Sequence, residues 1–284
     1  MGRSLEGSVV LVTGASAGIG AALVQEAVGR GARVVAVARR QERLEQVAAA
    51  FGERVLPVVA DVRVDGELER AVAGGLERFG RLDVAVANAG FGVAGFLEEL
   101  TLEDIRRQFE TNVFGVVRTL YATLPALVAS RGTFAIVGSV MGYVSVGGSV
   151  PYSMSKFAVR ALAEGLRCEL RPHGVAVVLV SPGFVESDIR RTDRWGVVHE
   201  HARDTVPPWL RMPTGVAARK IVRAIVQRRR EVILTTHGRI AVFLARHLPR
   251  TTAFLLARAR PRRRSGKEAG GPAASRPEGQ LRAR

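Results

Sequence analysis

The stretch Ser8-Val-Val-Leu-Val-Thr-Gly14-Ala-Ser-Ala-Gly18-Ile-Gly20 indicates the class of fold more strongly than any other part of the chain. Its apolar run predicts a buried strand over residues 8–13, and a helical pattern follows over 18–30. Glycines occupy the turn between these two elements. A strand, a glycine-rich turn and a helix in this order form the context in which a helix N-terminus binds the pyrophosphate of a dinucleotide.

Each of the three glycines has its own expected role in such a turn. Gly14 permits the tight turn, Gly18 lets backbone N–H groups approach the pyrophosphate, and Gly20 allows the helix and the strand to pack closely. The spacing is G-x-x-x-G-x-G and not the commoner G-x-G-x-x-G. A plain glycine-rich turn is therefore the alternative that other motifs must exclude.

Strand-like and helical patterns alternate along the rest of the chain. The alternation predicts an α/β fold, a single Rossmann-type doubly wound parallel sheet of about seven strands with helices on both faces. Strand-like runs lie at 8–13, 33–38, 55–60, 82–87, 133–138, 175–180 and 231–235, and helical patterns lie at 18–30, 40–50, 65–79, 102–130, 152–171 and 213–229.

Three polar residues form a candidate catalytic group. Tyr152 and Lys156 are four residues apart on a predicted helix, so the phenol and the ammonium project from one face. The cation favours the phenolate and lowers the pKa of the tyrosine, which prepares it for proton transfer near neutral pH. Ser139 follows the strand-like run 133–138, so its hydroxyl is expected at the carboxyl edge of the sheet. Taken alone, Tyr-x-x-x-Lys would be an ordinary surface pair.

With both motifs present, the chain resembles the short-chain dehydrogenase/reductase family over about residues 5–190. The matching residues occur in the family's order and spacing; they are Thr13-Gly-Ala-Ser-Ala-Gly-Ile-Gly20, Asn88-Ala89-Gly90, Asn112, Ser139, Tyr152, Lys156 and Pro182-Gly183. The resemblance implies an NAD(P)-dependent oxidoreductase that interconverts an alcohol and a ketone or aldehyde. It does not define the substrate.

The resemblance also implies a role for each catalytic residue in carbonyl reduction. Tyr152 protonates the carbonyl oxygen, and Ser139 donates a hydrogen bond that stabilises the developing negative charge. Lys156 acts on the tyrosine and also holds the nicotinamide ribose. Asn112 matches the asparagine whose helix distortion holds a water near the lysine and completes a proton path.

The same resemblance implies a cofactor site. Asp61, with Val62 beside it, matches the aspartate that meets the adenine amino group, and Asn88 matches an asparagine that supports the central sheet. Ser187 stands where the family commonly has a threonine that binds the nicotinamide carboxamide. The expected cofactor-binding residues are Thr13, Gly14, Ser16, Gly18, Ile19, Gly20, Arg39, Asp61, Val62, Asn88, Ala89, Gly90, Tyr152, Lys156, Pro182, Gly183, Val185 and Ser187.

The end of the second predicted strand favours NADP over NAD. An acidic residue at this place binds the ribose 2′-hydroxyl of NAD, but here the sequence is Ala36-Val-Ala-Arg39-Arg40. Arg39 is expected to bind the 2′-phosphate of NADP through a charge-assisted, bidentate contact. The alternative is that both arginines only solvate the start of a helix. Ala17 slightly weakens the NADP prediction, since some NADP-preferring relatives carry a basic residue there.

Substrate contacts are expected in a lid over residues 188–215 and in loops 91–96 and 140–150. A lipophilic substrate is indicated by apolar residues in these loops, unless they only pack the lid; they are Phe91, Val93, Met141, Tyr143 and Val144. No metal is expected, because Cys168 is the only cysteine, and His199 and His201 lack further ligands. Cys168 itself is expected to pack in the core.

Charge divides the chain into two parts. Residues 1–210 contain 23 Lys+Arg and 23 Asp+Glu, whereas residues 211–284 contain 19 Lys+Arg and 3 Asp+Glu. We therefore predict a catalytic domain over 1–237, an amphipathic basic helical extension over 238–260 and a disordered basic tail over 261–284. The extension is expected to lie on an anionic membrane, at a subunit interface or over the pocket.

Several further expectations follow from the same observations. No secretory signal is evident at the N-terminus, so a cytoplasmic protein is expected, with peripheral membrane association through the extension as an option. A homo-oligomer is expected, and specific binding of nucleic acid is not. The rival to an enzyme is a catalytically silent, dinucleotide-sensing regulatory or binding protein. The complete Ser139, Tyr152 and Lys156 set argues against that rival, because a sensor does not need it.

Overall fold

A single sheet of seven strands forms the centre of the molecule in the computed structural model, which describes residues 4–187 and 206–258. The strands are β1 (Val9–Thr13), β2 (Arg33–Ala38), β3 (Val55–Val59), β4 (Val84–Ala87), β5 (Thr133–Val137), β6 (Ala176–Ser181) and β7 (Glu231–Ile233). Their order in the sheet is β3-β2-β1-β4-β5-β6-β7, and every neighbouring pair is parallel. The predicted doubly wound α/β fold is confirmed.

Helices cover both faces of this sheet. Within the described residues they are α1 (Gly18–Gly29), α2 (Gln41–Ala49), α3 (Glu67–Phe79), α4 (Leu102–Phe109), α5 (Gly115–Ser130), α6 (Val150–Leu170), α7 (Thr214–Val226), α8 (Thr236–His247) and α9 (Pro249–Arg258). One apolar core lies between the sheet and α1, α2 and α7, and a second lies between the sheet and α3, α5 and α6. Strands buried on both sides need apolar residues at every position, which explains their continuous apolar runs.

The strand order places a crevice at the middle of the sheet. The chain passes from β1 to β2 and β3 on one side, then returns to β4 on the other side of β1. In open α/β sheets, ligands bind at the carboxyl ends of the strands where the order reverses. The loops after β1 and β4 therefore border the expected site.

The predicted helix over 102–130 is interrupted. A π-helical turn, Glu110–Phe114, separates α4 from α5 and contains Asn112. The combined stretch Leu102–Ser130 is the one candidate membrane span by length and composition among the described residues. Because α5 packs against β4, β5 and α3, we interpret it as a core helix of the domain.

Cys168 differs from its expected position, and parts of the predicted lid and tail lie outside the residues that the structure describes. Cys168 is exposed, so the expectation that it packs in the core is wrong. It lies on the outer side of α6, whereas Val159, Ala163 and Leu166 form the buried side of that helix. Residues 188–205 of the predicted lid and the whole predicted tail 261–284 lie outside the described residues.

Candidate active site

A set of hydrogen bonds joins the ends of β1 and β4 at the base of the site. The Thr13 hydroxyl accepts hydrogen bonds from the backbone N–H groups of Asn88 (3.0 Å) and Ala89 (3.1 Å). The Asn88 side-chain amide donates to the carbonyl oxygen of Thr13 at 2.9 Å. Thr13 is 1% exposed, so these bonds are shielded from water and fix the two loops relative to each other.

The glycine turn is packed against this junction without room for side chains. Gly14 has φ +68°, and a Cβ at this residue would lie 2.9 Å from the Ala89 Cα atom. A Cβ at Gly20 would lie 2.1 Å from the Gly14 carbonyl oxygen, which is a backbone clash. Gly18 has φ +54°, in the left-handed region that favours glycine. The turn can take this shape only with glycine at these positions.

These features fit the pyrophosphate of a dinucleotide. Helix α1 begins at Gly18, Ala17 at its N-cap offers no side-chain acceptor, and no acidic residue lies in its first turn. The N–H groups and the positive end of the helix dipole are thus free of competing side-chain anions at this place. The same cradle lies close to Ser187, whose Cβ would be 3.7 Å from a Cβ at Gly18.

Two arginines after β2 reach towards the glycine turn and the end of β3. The Arg39 guanidinium lies 3.7 Å from the Asp61 carboxylate, and the Arg39 side chain is 55% exposed. Arg40 donates to the Ser16 hydroxyl at 3.2 and 3.4 Å. Burial by itself would raise the pKa of the Asp61 carboxyl, but hydrogen bonds and charge from Arg63 outweigh it, and Arg39 contributes, so the pKa is lowered.

Lys156 occupies the interior of the candidate catalytic group. It is 6% exposed, and its ammonium lies 5.7 Å from the centroid of the Tyr152 ring. Nζ donates a hydrogen bond of 3.0 Å to the carbonyl oxygen of Val137, at the end of β5. Burial lowers the pKa of Lys156 from 10.5 to about 8. The lysine thus links the helix that carries Tyr152 to the strand that precedes Ser139.

Ser139 lies two residues after the end of β5, in extended backbone, and is 8% exposed. Its hydroxyl accepts a hydrogen bond of 3.1 Å from the N–H of Met141. A Cβ at Gly142 would lie 2.7 Å from the carbonyl oxygen of Lys156, so this glycine lets the serine loop approach the backbone of α6. Gly142 was not predicted as a site residue, because no motif distinguishes it from the other glycines of that loop.

Asn112 acts through its side chain as a clamp on the loop after β4. Its amide nitrogen donates to the Phe91 carbonyl oxygen (3.0 Å) and to the Ser155 hydroxyl (3.1 Å), and its amide oxygen accepts from the Phe91 N–H (3.1 Å). Gly90 lies between this amide and the lysine, since a Cβ there would be 3.1 Å from the Asn112 oxygen and 3.8 Å from Nζ of Lys156.

Gln108 also bonds the loop after β4, and it was not predicted as a site residue. It is 0% exposed, donates to the Phe91 carbonyl at 2.7 Å and accepts from the Val93 N–H at 2.6 Å. The residue lies four positions before Asn112, one helical turn away, which is the only signal that could have identified it. Gln108 lies near the end of α4, and Asn112 lies within the π-turn that follows it.

The loop after β6 is held by residues that come much later in the chain. The Phe184 N–H donates to Nε2 of His237 at 3.1 Å, and the two rings stack with centroids 5.2 Å apart. Because Nε2 accepts this bond, the imidazole is neutral here, and burial lowers the pKa of His237. Val185 and Met212 form a parallel bridge. His237 carried no motif and could not be found from the sequence.

Two of the apolar residues predicted to contact substrate are buried. Val93 is 1% exposed and Tyr143 is 7% exposed, so both pack in the interior among the described residues. The Tyr143 hydroxyl donates to the Glu231 carboxylate at 2.9 Å, and burial, followed by the charge of Glu231, raises the pKa of Tyr143 to about 12. Phe91, Met141 and Val144 are partly exposed. The lid residues 188–205, with His199 and His201, lie outside the described residues.

Proteins similar to this chain include several oxidoreductases. The chain is 35% identical over 179 residues to an oxidoreductase of Botryotinia fuckeliana, covering 62% of this chain and 65% of that protein. It is 36% identical over 208 residues to the cis-2,3-dihydrobiphenyl-2,3-diol dehydrogenase of Paraburkholderia xenovorans, covering 72% and 74%. It is 35% identical over 244 residues to 11-beta-hydroxysteroid dehydrogenase A of Sesamum indicum, covering 81% and 69%.

Solved structures with the same fold carry either nicotinamide dinucleotide. A short-chain dehydrogenase from Burkholderia cenocepacia in complex with NADP is 30% identical, with a TM-score of 0.76 over 89% of this chain and 99% of that one. A short-chain dehydrogenase/reductase from Burkholderia phymatum in complex with NAD is 25% identical, with a TM-score of 0.78 over 91% and 99%.

The family assignment rests on the extent of the match together with the fold. The sequence profile of the short chain dehydrogenases matches residues 8–196, which includes the glycine turn, Ser139, Tyr152 and Lys156. The strand order and the solved relatives agree with it. The chain belongs to the short-chain dehydrogenase/reductase family, whose members are oxidoreductases that use a nicotinamide dinucleotide.

Proposed function

We propose that this protein is an NADP-preferring oxidoreductase that interconverts a lipophilic alcohol and the corresponding ketone or aldehyde, with Ser139, Tyr152 and Lys156 as its catalytic residues. The observation that carries the proposal is the position of Lys156. Its buried ammonium lies 5.7 Å from the Tyr152 ring and donates a hydrogen bond to Val137, the last residue of β5, two residues before Ser139. A buried cation beside a phenol has a chemical use in proton transfer, whereas a surface pair has none.

The residues divide the reduction of a carbonyl among them. A reduced nicotinamide dinucleotide, once bound in the glycine-turn crevice, would supply the hydride for this reduction. Tyr152 donates its phenolic proton to the carbonyl oxygen, and the Lys156 ammonium stabilises the phenolate that remains. Ser139 donates a hydrogen bond to the same oxygen while negative charge develops there. The Asn112 and Gln108 side chains hold the loop of residues 88–93 in place beside the lysine.

The preference for NADP is supported by charge at the end of β2. Arg39 and Arg40 follow the strand, no acidic residue stands there, and Arg40 already contacts Ser16 in the glycine turn. A 2′-phosphate adds an anion at this place in the fold, and two guanidinium groups can bind it with charge-assisted hydrogen bonds. The Arg39 guanidinium lies 3.7 Å from the Asp61 carboxylate and is more than half exposed, so it remains accessible to a phosphate.

A lipophilic substrate is supported by apolar side chains on the loops after β4, β5 and β6. Phe91, Met141 and Val144 are partly exposed, and Phe184 is 40% exposed on the loop after β6. Relatives named for a dihydrobiphenyl diol and for hydroxysteroids agree with an apolar alcohol. The rival proposal, a dinucleotide sensor without catalysis, has no observation in its favour. The cytoplasmic location stays a prediction.

We also propose that two copies pair through the outer faces of α5 and α6. Large apolar side chains there are 41% to 68% exposed; they are Phe114, Tyr121, Met154 and Phe157. A cleft of about 490 Å³ beside them is lined by α4, the π-turn and Met154. Charges of both signs, such as the Arg160–Glu164 pair at 3.1 Å, accompany these residues, and such a surface can complement a second copy of itself.

Replacing Tyr152 by Phe removes the transferable proton and little else. We expect carbonyl reduction to fall by about 10²–10⁴-fold, the usual contribution of a positioned proton donor, while NADPH binding changes little. Turnover is measured by NADPH absorbance with a panel of aldehydes, ketones and hydroxysteroids. Tyr121→Phe is the matched control, because Tyr121 is 68% exposed on α5 and should keep full activity. Activity of Tyr152→Phe equal to that of the unmodified protein would refute the assignment of Tyr152 as the proton donor. Absence of turnover by the unmodified protein would favour the alternative of a dinucleotide-sensing protein.

The activity should depend on the ionisation of Lys156. Burial lowers its pKa from 10.5 to about 8, so the ammonium is present below that pH and is lost as the pH rises through it. Since the ammonium stabilises the phenolate, kcat/KM for reduction should be constant at lower pH and decline above about 8. A ketone without ionisable groups makes the profile report on the enzyme. A flat profile between about pH 7 and 10, with the fold intact by circular dichroism, would contradict the role of Lys156.

Replacing Arg39 by Asp should reverse the order of cofactor affinities. The carboxylate repels the 2′-phosphate, so NADPH should bind at least about tenfold more weakly, while NADH binding stays the same or improves. Both affinities are measured by direct titration. Arg54→Asp is the control. It makes the same charge change just before β3, at the amino edge of the sheet and away from the carboxyl edge that Arg39 follows, and it should alter the affinity for neither cofactor. Tighter binding of NADH than of NADPH by the unmodified protein would refute the preference.

Disrupting the outer face of α5 and α6 should produce monomers. In the variant Tyr121→Arg with Phe157→Arg, four long cations would face each other across a twofold contact, and their repulsion opposes pairing. Molar mass is measured by size-exclusion chromatography with light scattering. The control Leu97→Arg, at a residue that is 54% exposed elsewhere, should keep the mass of the parent protein. A monomeric parent protein, or a double variant of unchanged mass, would exclude this interface.

A further inference from the structure

Helices α8 and α9 carry a surface in which exposed apolar side chains are accompanied by charges of one sign only. The apolar members are 47% to 58% exposed; they are Ile240, Phe243, Leu248, Phe254 and Leu255. The basic members are Arg239, Arg250 and Arg258. We call these eight residues the C-terminal surface. Clusters of exposed apolar side chains typically mark a site of interaction with another protein, a ligand or a membrane.

The other side of α8 is bound to the catalytic domain, so the α8 part of this surface faces outwards. Val242 is 2% exposed on the inner side of the helix. Arg246 donates to the Glu231 carboxylate at 2.8 and 3.0 Å. A Cβ at Gly238 would lie 2.7 Å from Cγ2 of Val140, so the first turn of α8 is in close contact with the loop after Ser139. Ile240 and Phe243, three residues apart, remain on the outside.

Of the arginines on α8 and α9, Arg246 is paired with a carboxylate, that of Glu231. The segment 232–258 contains four arginines and no aspartate or glutamate. Residues 259–284 add eight Lys+Arg against two Glu in the sequence. On α5 and α6, by contrast, exposed apolar residues lie among charges of both signs. The partner of the C-terminal surface must therefore combine an apolar phase with negative charge.

We propose that the C-terminal surface docks onto an anionic lipid bilayer. Apolar side chains of an amphipathic helix enter the boundary between headgroups and acyl chains, and arginines beside them attract anionic headgroups. A second copy of this chain fits less well, because a symmetric contact would bring the same arginines against each other. This proposal goes beyond the catalytic function and does not depend on it.

The helices are built to lie on the bilayer and not to cross it. Helix α8 has 12 residues and α9 has 10, and Pro249 begins the second helix. A spanning helix needs about 20 consecutive apolar residues. Phe254 contacts the Arg258 guanidinium, which lies 4.3 Å from the ring centroid. This pairing lets the ring enter the interface while the cation stays at the level of the headgroups.

Docking in this way would bring the active-site edge close to lipid. Helix α8 contacts the Ser139 loop through Gly238 and Val140, and the loop after β6 through His237 and Phe184. A helix with its side chains is about 10 Å across. The entrance for an apolar substrate would thus lie roughly one helix diameter from the bilayer in which such a substrate dissolves.

Sedimentation with vesicles tests the proposal on the full-length chain. Vesicles of phosphatidylcholine alone are compared with vesicles that also contain phosphatidylserine, at about 0.1 M and about 1 M salt. We expect binding to the anionic vesicles at low salt and a large decrease at high salt, where the Debye length falls to ~3 Å. Equal recovery in the supernatant with both lipids at low salt would overturn the proposal.

Two variants separate the C-terminal surface from simple attraction of the basic tail. Phe243→Ser with Leu255→Ser removes one exposed apolar side chain from each helix, and Arg250→Glu with Arg258→Glu reverses two charges without removing helix-forming residues. Each should weaken binding to anionic vesicles at least about tenfold, since each surface charge or buried apolar group contributes roughly fivefold or more. Activity on a water-soluble substrate should be unchanged, because none of these residues belongs to the site.

Matched controls carry the same changes elsewhere on the surface. Leu97→Ser with Leu102→Ser alters side chains that are 54% and 61% exposed, against 58% and 55% for Phe243 and Leu255. Arg171→Glu reverses an exposed charge at the end of α6. Both controls should bind vesicles like the parent protein. Binding by the serine double variant that equals that of the parent would show that the tail alone binds by charge, and would overturn the proposal.

Discussion

The hydrogen bonds between Thr13 and Asn88 hold together the two strand ends from which the site is built. They fix the glycine turn against the loop after β4, and the contact of Gly14 with Ala89 leaves no space for a side chain. Everything at the carboxyl edge depends on this junction. The helix N-terminus of α1 faces the crevice because the turn is tight, and Gly90 meets Lys156 because the loop after β4 is held in place.

The buried ammonium of Lys156 is the second interaction on which the site depends. A cation removed from water is unfavourable unless it is bonded, and here it donates to Val137 and lies beside the Tyr152 ring. Desolvation lowers its pKa towards the range in which enzymes transfer protons. Buried polar side chains on α4, the π-turn and α6 bond the loop of residues 88–93 or each other and hold that loop beside the lysine; they are Gln108, Asn112 and Ser155.

Helix α8 packs between the carboxyl edge of the sheet and the outer surface of the molecule. His237 and Gly238 in its first turn contact the loops after β6 and β5, and Arg246 in its last turn bonds Glu231. Glu231 in turn accepts a hydrogen bond from Tyr143, close to Ser139 in the chain. Helix α8 is therefore held against the active-site loops through the residues of its first turn and its inner side.

The sequence by itself determined the fold class, the strand boundaries to within about two residues, and the glycine and candidate catalytic motifs, because these depend on local periodicity and on short spacings along the chain. Tertiary structure alone decided which polar groups support them. Gln108, Gly142 and His237 gain their roles from contacts with residues that are distant in the chain or on other elements, such as Phe184 for His237. It also decided that Tyr143 and Val93 are buried and that Cys168 is exposed, because a residue type alone does not say which side of its element faces the core.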